Sequence, residues 1–140
     1  MATDEGGLSV RVLTPNGAVF EGPATMVFAP NAAGEVGLLP RHEPLVCTLG
    51  FGRTRVQASD GTEEVFATSE GFLTIAHDEV LILVDQALPV GEIDAARAKA
   101  DLQAAQEALD ASGDDEGARA KAEMRKLRAE NLLKVLESHR

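Results

Sequence analysis

The chain has 140 residues, 23 acids against 13 bases, a net charge of −10 and a single cysteine. The length fits one domain or a small core with an appendage; the acidic balance argues against phosphate-backbone binding as the main task, and one cysteine excludes a disulfide framework. No run approaches the roughly 18 apolar residues of a membrane span, and Met1-Ala2-Thr3-Asp4-Glu5 has no apolar leader pattern, so the chain reads as soluble and unexported.

Up to about residue 88 the sequence is written with a period of two. Leu8-Ser9-Val10-Arg11-Val12, Val65-Phe66-Ala67-Thr68, Phe72-Leu73-Thr74-Ile75 and Val80-Leu81-Ile82-Leu83-Val84 are alternating or β-branched runs, which predicts strands. Between them lie Pro15-Asn16-Gly17, Asn31-Ala32-Ala33-Gly34, Ser59-Asp60-Gly61 and His77-Asp78-Glu79, residues that tolerate positive φ or bond their own backbone. Asp60-Gly61 is the clearest hairpin turn, joining Phe51–Ala58 to Glu63–Ser69. Short strands with turns every 8–12 residues or so predict an antiparallel sandwich or barrel. Cys47, inside Leu45-Val46-Cys47-Thr48-Leu49, is expected to be an inert core residue.

At Pro89 the period changes to that of a helix. Ala95, Ala98, Leu102, Ala105 and Leu109 form one face, and a second stripe runs through Ala96, Ala100, Ala104 and Ala108. Small side chains let a partner helix lie close, and alanine sustains the helix with little help from a core. Ser112-Gly113-Asp114-Asp115-Glu116-Gly117 breaks the pattern with two glycines and N-cap candidates. A second helix follows over about Ala118–Glu137, with Ala122, Ala129, Leu132, Leu133 and Leu136 on its apolar side, and two helices across a short break predict an antiparallel hairpin. The expected fold is therefore β plus α: a β-sandwich or barrel over residues 1–88, then a two-helix hairpin over residues 89–140.

Charge is unevenly placed along this plan. Residues 1–88 carry 12 acids and 4 bases, residues 89–117 carry 8 and 2, and residues 118–140 carry 3 and 7. The opposed signs of the two helices favour their pairing, or docking of the basic second helix on an acidic partner. The plainer reading is two solvated faces.

Catalytic patterns are thin. His42, His77 and His139 do not stand at metal-ligand spacing from one another or from Cys47. A Ser69, His77, Asp78 grouping lacks a nucleophile elbow and an oxyanion hole. Gly50-Phe51-Gly52 begins a dinucleotide-like pattern, but it lies between strands with no helix to receive a phosphate, so a glycine-rich turn is the better reading. No enzyme activity and no metal are expected.

The segment Gly34-Glu35-Val36-Gly37-Leu38-Leu39-Pro40-Arg41-His42-Glu43-Pro44-Leu45 stands out as a shaped loop with two glycines and two prolines. Here the chain resembles the epsilon subunit of F-type ATP synthase, whose sandwich carries a G-E-[LIV]-G-x-[LY]-P-x-H-x-P-L segment. Ile93-Asp94-Ala95-Ala96-Arg97-Ala98 is similar to that family's [IL]-D-x-x-R-A at the start of its first helix, and Ser69-Glu70-Gly71-Phe72-Leu73 to its G-G-[FIL] stretch. The resemblance covers essentially the whole chain.

It implies a non-catalytic central-stalk subunit on the cytoplasmic face of a bacterial inner membrane, coupling rotor to catalytic head. The implied partners are the gamma subunit, the c-subunit ring and the alpha and beta subunits, with no nucleic acid and no membrane span. The body would sit with gamma on the c ring, and Glu35 and His42 match the positions that make that contact. Extended along gamma, the hairpin would inhibit ATP hydrolysis through Arg119, Lys121, Arg125, Lys126, Arg128 and Lys134. No cofactor is required, although some relatives hold ATP between the two helices at positions matching Ile93, Asp94, Arg97, Ala98 and Arg128. This chain has Leu88, Ala104 and Leu132 where those members carry further charged ligands, so ATP is expected as a weak regulatory ligand at most. Read on the residues alone, Glu35 is a solvated turn carboxylate, His42 a satisfied loop residue, Asp94 an N-cap and Arg97 a surface charge. The alternative function is a stand-alone adaptor that binds a protein through residues 34–45.

Overall fold

A computed structural model describes residues 7–139; the acidic stretch Met1–Glu5 lies outside the described residues. Nine strands come first: β1 (Leu8–Thr14), β2 (Gly17–Asn31), β3 (Gly34–Leu38), β4 (Leu45–Leu49), β5 (Gly52–Ala58), β6 (Glu63–Thr68), β7 (Gly71–Ala76), β8 (Glu79–Val84) and β9 (Ala87–Pro89). A 3-10 turn over Val90–Glu92 leads to α1 (Ala95–Ala111) and α2 (Glu116–His139). The chain divides into two compact units between Pro89 and Val90.

The body is a sandwich whose two sheets share β2. The first half of β2 pairs with β1, from Thr14↔Gly17 to Leu8↔Ala24. Its second half pairs with β3 on one side and β5 on the other. The exchange occurs at a register shift between Ala24 and Met26, where one extra residue lets a strand bend from one sheet to the next. From β1 the first sheet continues through β8, β7 and β4, and β4 returns to β2 at Asn31↔Leu49. The second sheet continues from β5 through β6 to β9. All pairings are antiparallel except β1 with β8, which run parallel from Ser9↔Glu79 to Leu13↔Leu83.

Alternation places the core where the pattern requires. Leu8, Val10 and Val12 of β1, Leu73 and Ile75 of β7, and Val80, Ile82 and Val84 of β8 turn inward to meet Val27, Ala29, Leu38, Val56 and Phe66. The Asp60-Gly61 hairpin joins β5 to β6 with Gln57↔Glu63 in register, Gly61 at φ 95 and the Asp60 carboxylate accepting from Thr62 N. His77 and Asp78 are the two central residues of the β7–β8 turn, both left-handed, as a type I′ turn demands.

Three expectations need correction. Residues 34–45 are not one loop: Gly34–Leu38 is strand β3, Leu45 opens β4, and only residues 39–44 are irregular. Glycine and proline density suggested a loop, but neither proline lies within β3, and Gly37 fits there because its missing Cβ leaves room for the Phe28 ring. Pro89 belongs to the body, since β9 pairs with β6 through Phe66↔Pro89. Cys47 is half-buried at the core margin rather than fully inside it.

In the second unit α1 and α2 pack through the first of the two stripes: Ala98 and Ala105 are buried, and they face Ala122 and Ala129 of α2. Ala96, Ala100 and Ala108 are exposed. Gly113 at φ 55 ends α1, and the Asp115 carboxylate accepts from Ala118 N to start α2.

Gly71 tests the packing of the first sheet. A Cβ there would meet the Leu83 carbonyl oxygen at 2.0 Å and the Val84 side chain at 2.8 Å. Gly71→Ala is expected to destabilise the body by about 2–3 kcal/mol, read as a lower urea midpoint at unchanged slope.

Candidate functional site

Three places matter: the 34–45 segment and the hairpin, which hold the residues singled out from the sequence, and one outer sheet face that sequence reasoning missed. On the outer face of β2, β3, β5 and β6 stands an ionic cluster built around Arg55. Its guanidinium lies 4.2 Å from the centre of the Phe28 ring, its cross-strand partner. One nitrogen is 3.4 Å from the Glu35 carboxylate and the other 3.7 Å from that of Glu63. Stacking and pairing together span four strands, and they keep Arg55 only 23% exposed while both carboxylates stay open to solvent. Glu35 is therefore a held carboxylate with a defined direction. At these exposures each pair adds on the order of 0–1 kcal/mol, so its effect is more on orientation than on stability.

His42 lies in the 39–44 segment, its Nδ1 2.7 Å from the Glu43 carbonyl oxygen and its N–H donating to the Leu39 carbonyl. Arg41 beside it has φ 66 and donates its N–H to the Asp78 carboxylate at 2.6 Å. Leu39 is 52% exposed.

The second place is the outer face of β1, β8, β7 and β4. Leu13, Leu83 and Phe72 are direct cross-strand neighbours in a row, and Val46 sits diagonally from Phe72 on β4. Val46 is 73% exposed, Phe72 55% and Leu83 44%. A shallow depression of about 500 Å³ opens between Leu13, Phe72 and Leu83, floored by Gly71 and Val84. Sequence reasoning missed this surface, yet β8 carried a signal. Val80-Leu81-Ile82-Leu83-Val84 is apolar on both faces, which half-solvated strands are not.

The third place is the hairpin. Asp94 caps α1: its Oδ1 accepts from Arg97 N at 3.1 Å, and its carbonyl from Ala98 N. Ile93 and Ala98 are buried, and Arg97 is exposed. Asp101 of α1 pairs with Arg125 of α2 at 3.3 Å, which marks the antiparallel register. Arg97 lies four residues before Asp101 and Arg128 three residues after Arg125, so helical spacing puts both on that same edge, one turn toward Asp94. Asp94, Arg97 and Arg128 are thus brought to one end of the hairpin edge.

The six α2 cations do not make one face. Lys121, Arg125 and Arg128 follow i, i+4, i+7 along the Asp101 edge. Arg119, Lys126 and Lys134 lie on the opposite edge, beyond the buried Ala122 and Ala129, and are interleaved there with Glu123 and Glu130. Arg119 pairs with Glu123 at 3.6 Å within the second edge, while on the first Arg125 pairs across to Asp101 of α1.

Nothing here resembles a catalytic centre. Ser69 accepts from Gln86 N at the start of β7, whereas His77 and Asp78 form the turn at its far end, roughly 20 Å away along six residues. Burial pushes the Cys47 thiol up, which keeps it protonated and unreactive at neutral pH. Among the described residues no group of three or more His, Cys, Asp and Glu is arranged for a metal, and no helix is long and apolar enough to cross a membrane.

Residues 7–90 match the model of the ATP synthase delta/epsilon chain beta-sandwich domain. The ATP synthase epsilon chain of Nitrosococcus oceani is 40% identical over 118 residues, covering 84% of each chain. That of Halalkalibacterium halodurans is 37% identical over 128 residues, 91% of this chain and 96% of its own length. Among solved structures, a chain of the Euglena gracilis mitochondrial ATP synthase superposes with a TM-score of 0.76 at 23% identity, over 96% of this chain and 81% of that one, and so shares the fold.

The cap at Asp94 separates two roles for that residue. Asp94→Ala is expected to cost about 1 kcal/mol of hairpin stability, and Asp94→Asn a few tenths at most, because an asparagine oxygen also caps. Thermal unfolding followed by circular dichroism at the helix band checks both.

Proposed function

The chain belongs to the ATP synthase epsilon-chain family, and on that premise we propose that it is a non-catalytic central-stalk subunit whose β body mounts on the rotor and whose hairpin restrains ATP hydrolysis. The observation that carries the reading is the apolar row Leu13, Leu83 and Phe72 with Val46. Exposed neighbouring hydrophobics of this size on a small body mark a surface meant to be covered by protein. The gamma subunit is its proposed cover. Glu35, held outward by Arg55, and the 39–44 segment with His42 form the proposed contact with the c ring and gamma. The chain would then sit peripherally at the membrane, on the cytoplasmic face in a bacterium.

The hairpin supports a second half of this reading. Lys121, Arg125 and Arg128 form an edge suited to an acidic segment of the alpha or beta subunits, and such contacts weaken with salt. Arg119, Lys126 and Lys134 contribute less, since Glu123 and Glu130 stand among them. For ATP, Asp94 is already engaged as a cap and Arg125 is paired with Asp101, and Arg97 and Arg128 are the proposed phosphate contacts beside Ile93 and Ala98. Binding this sparse is weak.

Two measurements test the proposal. Reconstituted αβγ complex is assayed for ATP hydrolysis with the full chain, with a chain ending at Pro89 so that β9 is retained, and with neither. Hydrolysis is expected to fall only with the full chain, while both forms assemble; unchanged hydrolysis removes the inhibitory role, and lost assembly of the shorter form makes the hairpin structural instead. Calorimetric titration with ATP is expected to show no binding tighter than about 100 μM, and a micromolar Kd would overturn the weak-ligand reading.

A further inference from the structure

Three left-handed residues other than glycine meet at one end of the body: Arg41 at φ 66, His77 at φ 52 and Asp78 at φ 61. Two of them are explained by the type I′ turn between β7 and β8. Arg41 is the third residue of another turn, Leu39-Pro40-Arg41-His42, closed by the His42 N–H on the Leu39 carbonyl, in which proline suits the second position and the third takes a positive φ at a cost for any residue but glycine. A side chain with a Cβ stays left-handed only where its surroundings fix it.

A bond from outside this turn adds to its hold. The Arg41 N–H donates to the Asp78 carboxylate across 37 positions of sequence, at 2.6 Å, a short bond of the charge-assisted kind. Asp78 is itself anchored, since its carbonyl accepts from Ser9 N on β1 at 2.8 Å. The turn is thus bolted to the sheet on one side and grips the 39–44 segment on the other. Within the segment the His42 N–H donates to the Leu39 carbonyl, so setting Arg41 also sets the directions of Leu39 and His42.

We propose that Asp78 is a positioning residue, which latches the 39–44 segment into the one shape that a rotor partner reads. The inference rests on the reading above that this segment meets the partner. It gives Asp78 a role that belongs to the neighbouring hairpin rather than to the segment itself.

The test uses full-length chains and an assembly of gamma with the c ring. Asp78→Gly keeps the type I′ turn, since glycine favours it, but removes the acceptor; Asp78→Asn keeps both the turn and an acceptor oxygen. Hydrogen exchange of the Arg41 amide is expected to speed at least tenfold in D78G and to stay within threefold of the parent in D78N. Affinity for the assembly is expected to fall about fivefold to tenfold in D78G and by less than twofold in D78N, with the melting temperature of both near that of the parent. Unchanged exchange at Arg41 in D78G would show that no latch exists. Faster exchange with unchanged affinity would overturn the positioning role, provided that Leu39→Ser and His42→Ala weaken binding. If those two also leave affinity unchanged, the segment is not a contact, and the functional reading fails together with the inference.

Discussion

Strand β2 is the constraint on which the body depends. Fifteen residues long, it serves the first sheet with its first half and the second sheet with its second, and the irregularity at Thr25 is where it crosses. The two sheets are therefore connected covalently as well as by their core; β5 joins β2 from Ala24 onward, and β3 pairs with it only from Val27. This brings Phe28 between Gly37 and Arg55 and sets Pro30 opposite Glu35. It also forces Gly52: a Cβ there would come within 2.5 Å of Pro30, so β5 can start beside β2 only with a residue that has none. The ionic cluster that aims Glu35 is a product of this crossing.

Much of the architecture was legible because it is local. Alternation in β1, β7 and β8, the Asp60-Gly61 turn and the helical period after residue 90 each depend on a few neighbouring residues. Strand order is not local: the continuous apolar run of β8 suits a parallel partner, but it does not say that the partner is β1. The 34–45 segment was legible as a motif but misread as a loop, since glycine and proline content does not reveal that β2 extends far enough to pair with Gly34–Leu38. Glu35 and His42 could be picked out by that motif, whereas the residues that hold them, Arg55 and Asp78, lie 20 and 37 positions from their partners.

The hairpin shows the same division between local and distant information. Helical spacing alone offered two alanine stripes on α1, and the choice between them was made by α2. Spacing also collected six cations on α2, but their separation into two edges depends on which residues turn toward α1. Ala98, Ala105, Ala122 and Ala129 allow close approach, and four buried methyls add only about 3 kcal/mol at roughly 0.8 kcal/mol each. The half-buried leucines Leu102, Leu132 and Leu136 add more. An interface built this way holds a shape without making it costly to leave.

The parallel partnership of β1 and β8 also governs how this chain is born. Ser9 must wait for Glu79, and Val12 for Ile82, so β1 has one of its two neighbours only after some seventy more residues have left the ribosome. Until then the edge of β1 that β8 will cover has no strand to pair with. Closure of so distant a contact is slow compared with helix formation. The helices follow the body in the chain, and their contacts with each other lie within about forty residues, a separation that closes sooner. Synthesis order and topology thus work against each other in the body and together in the arm.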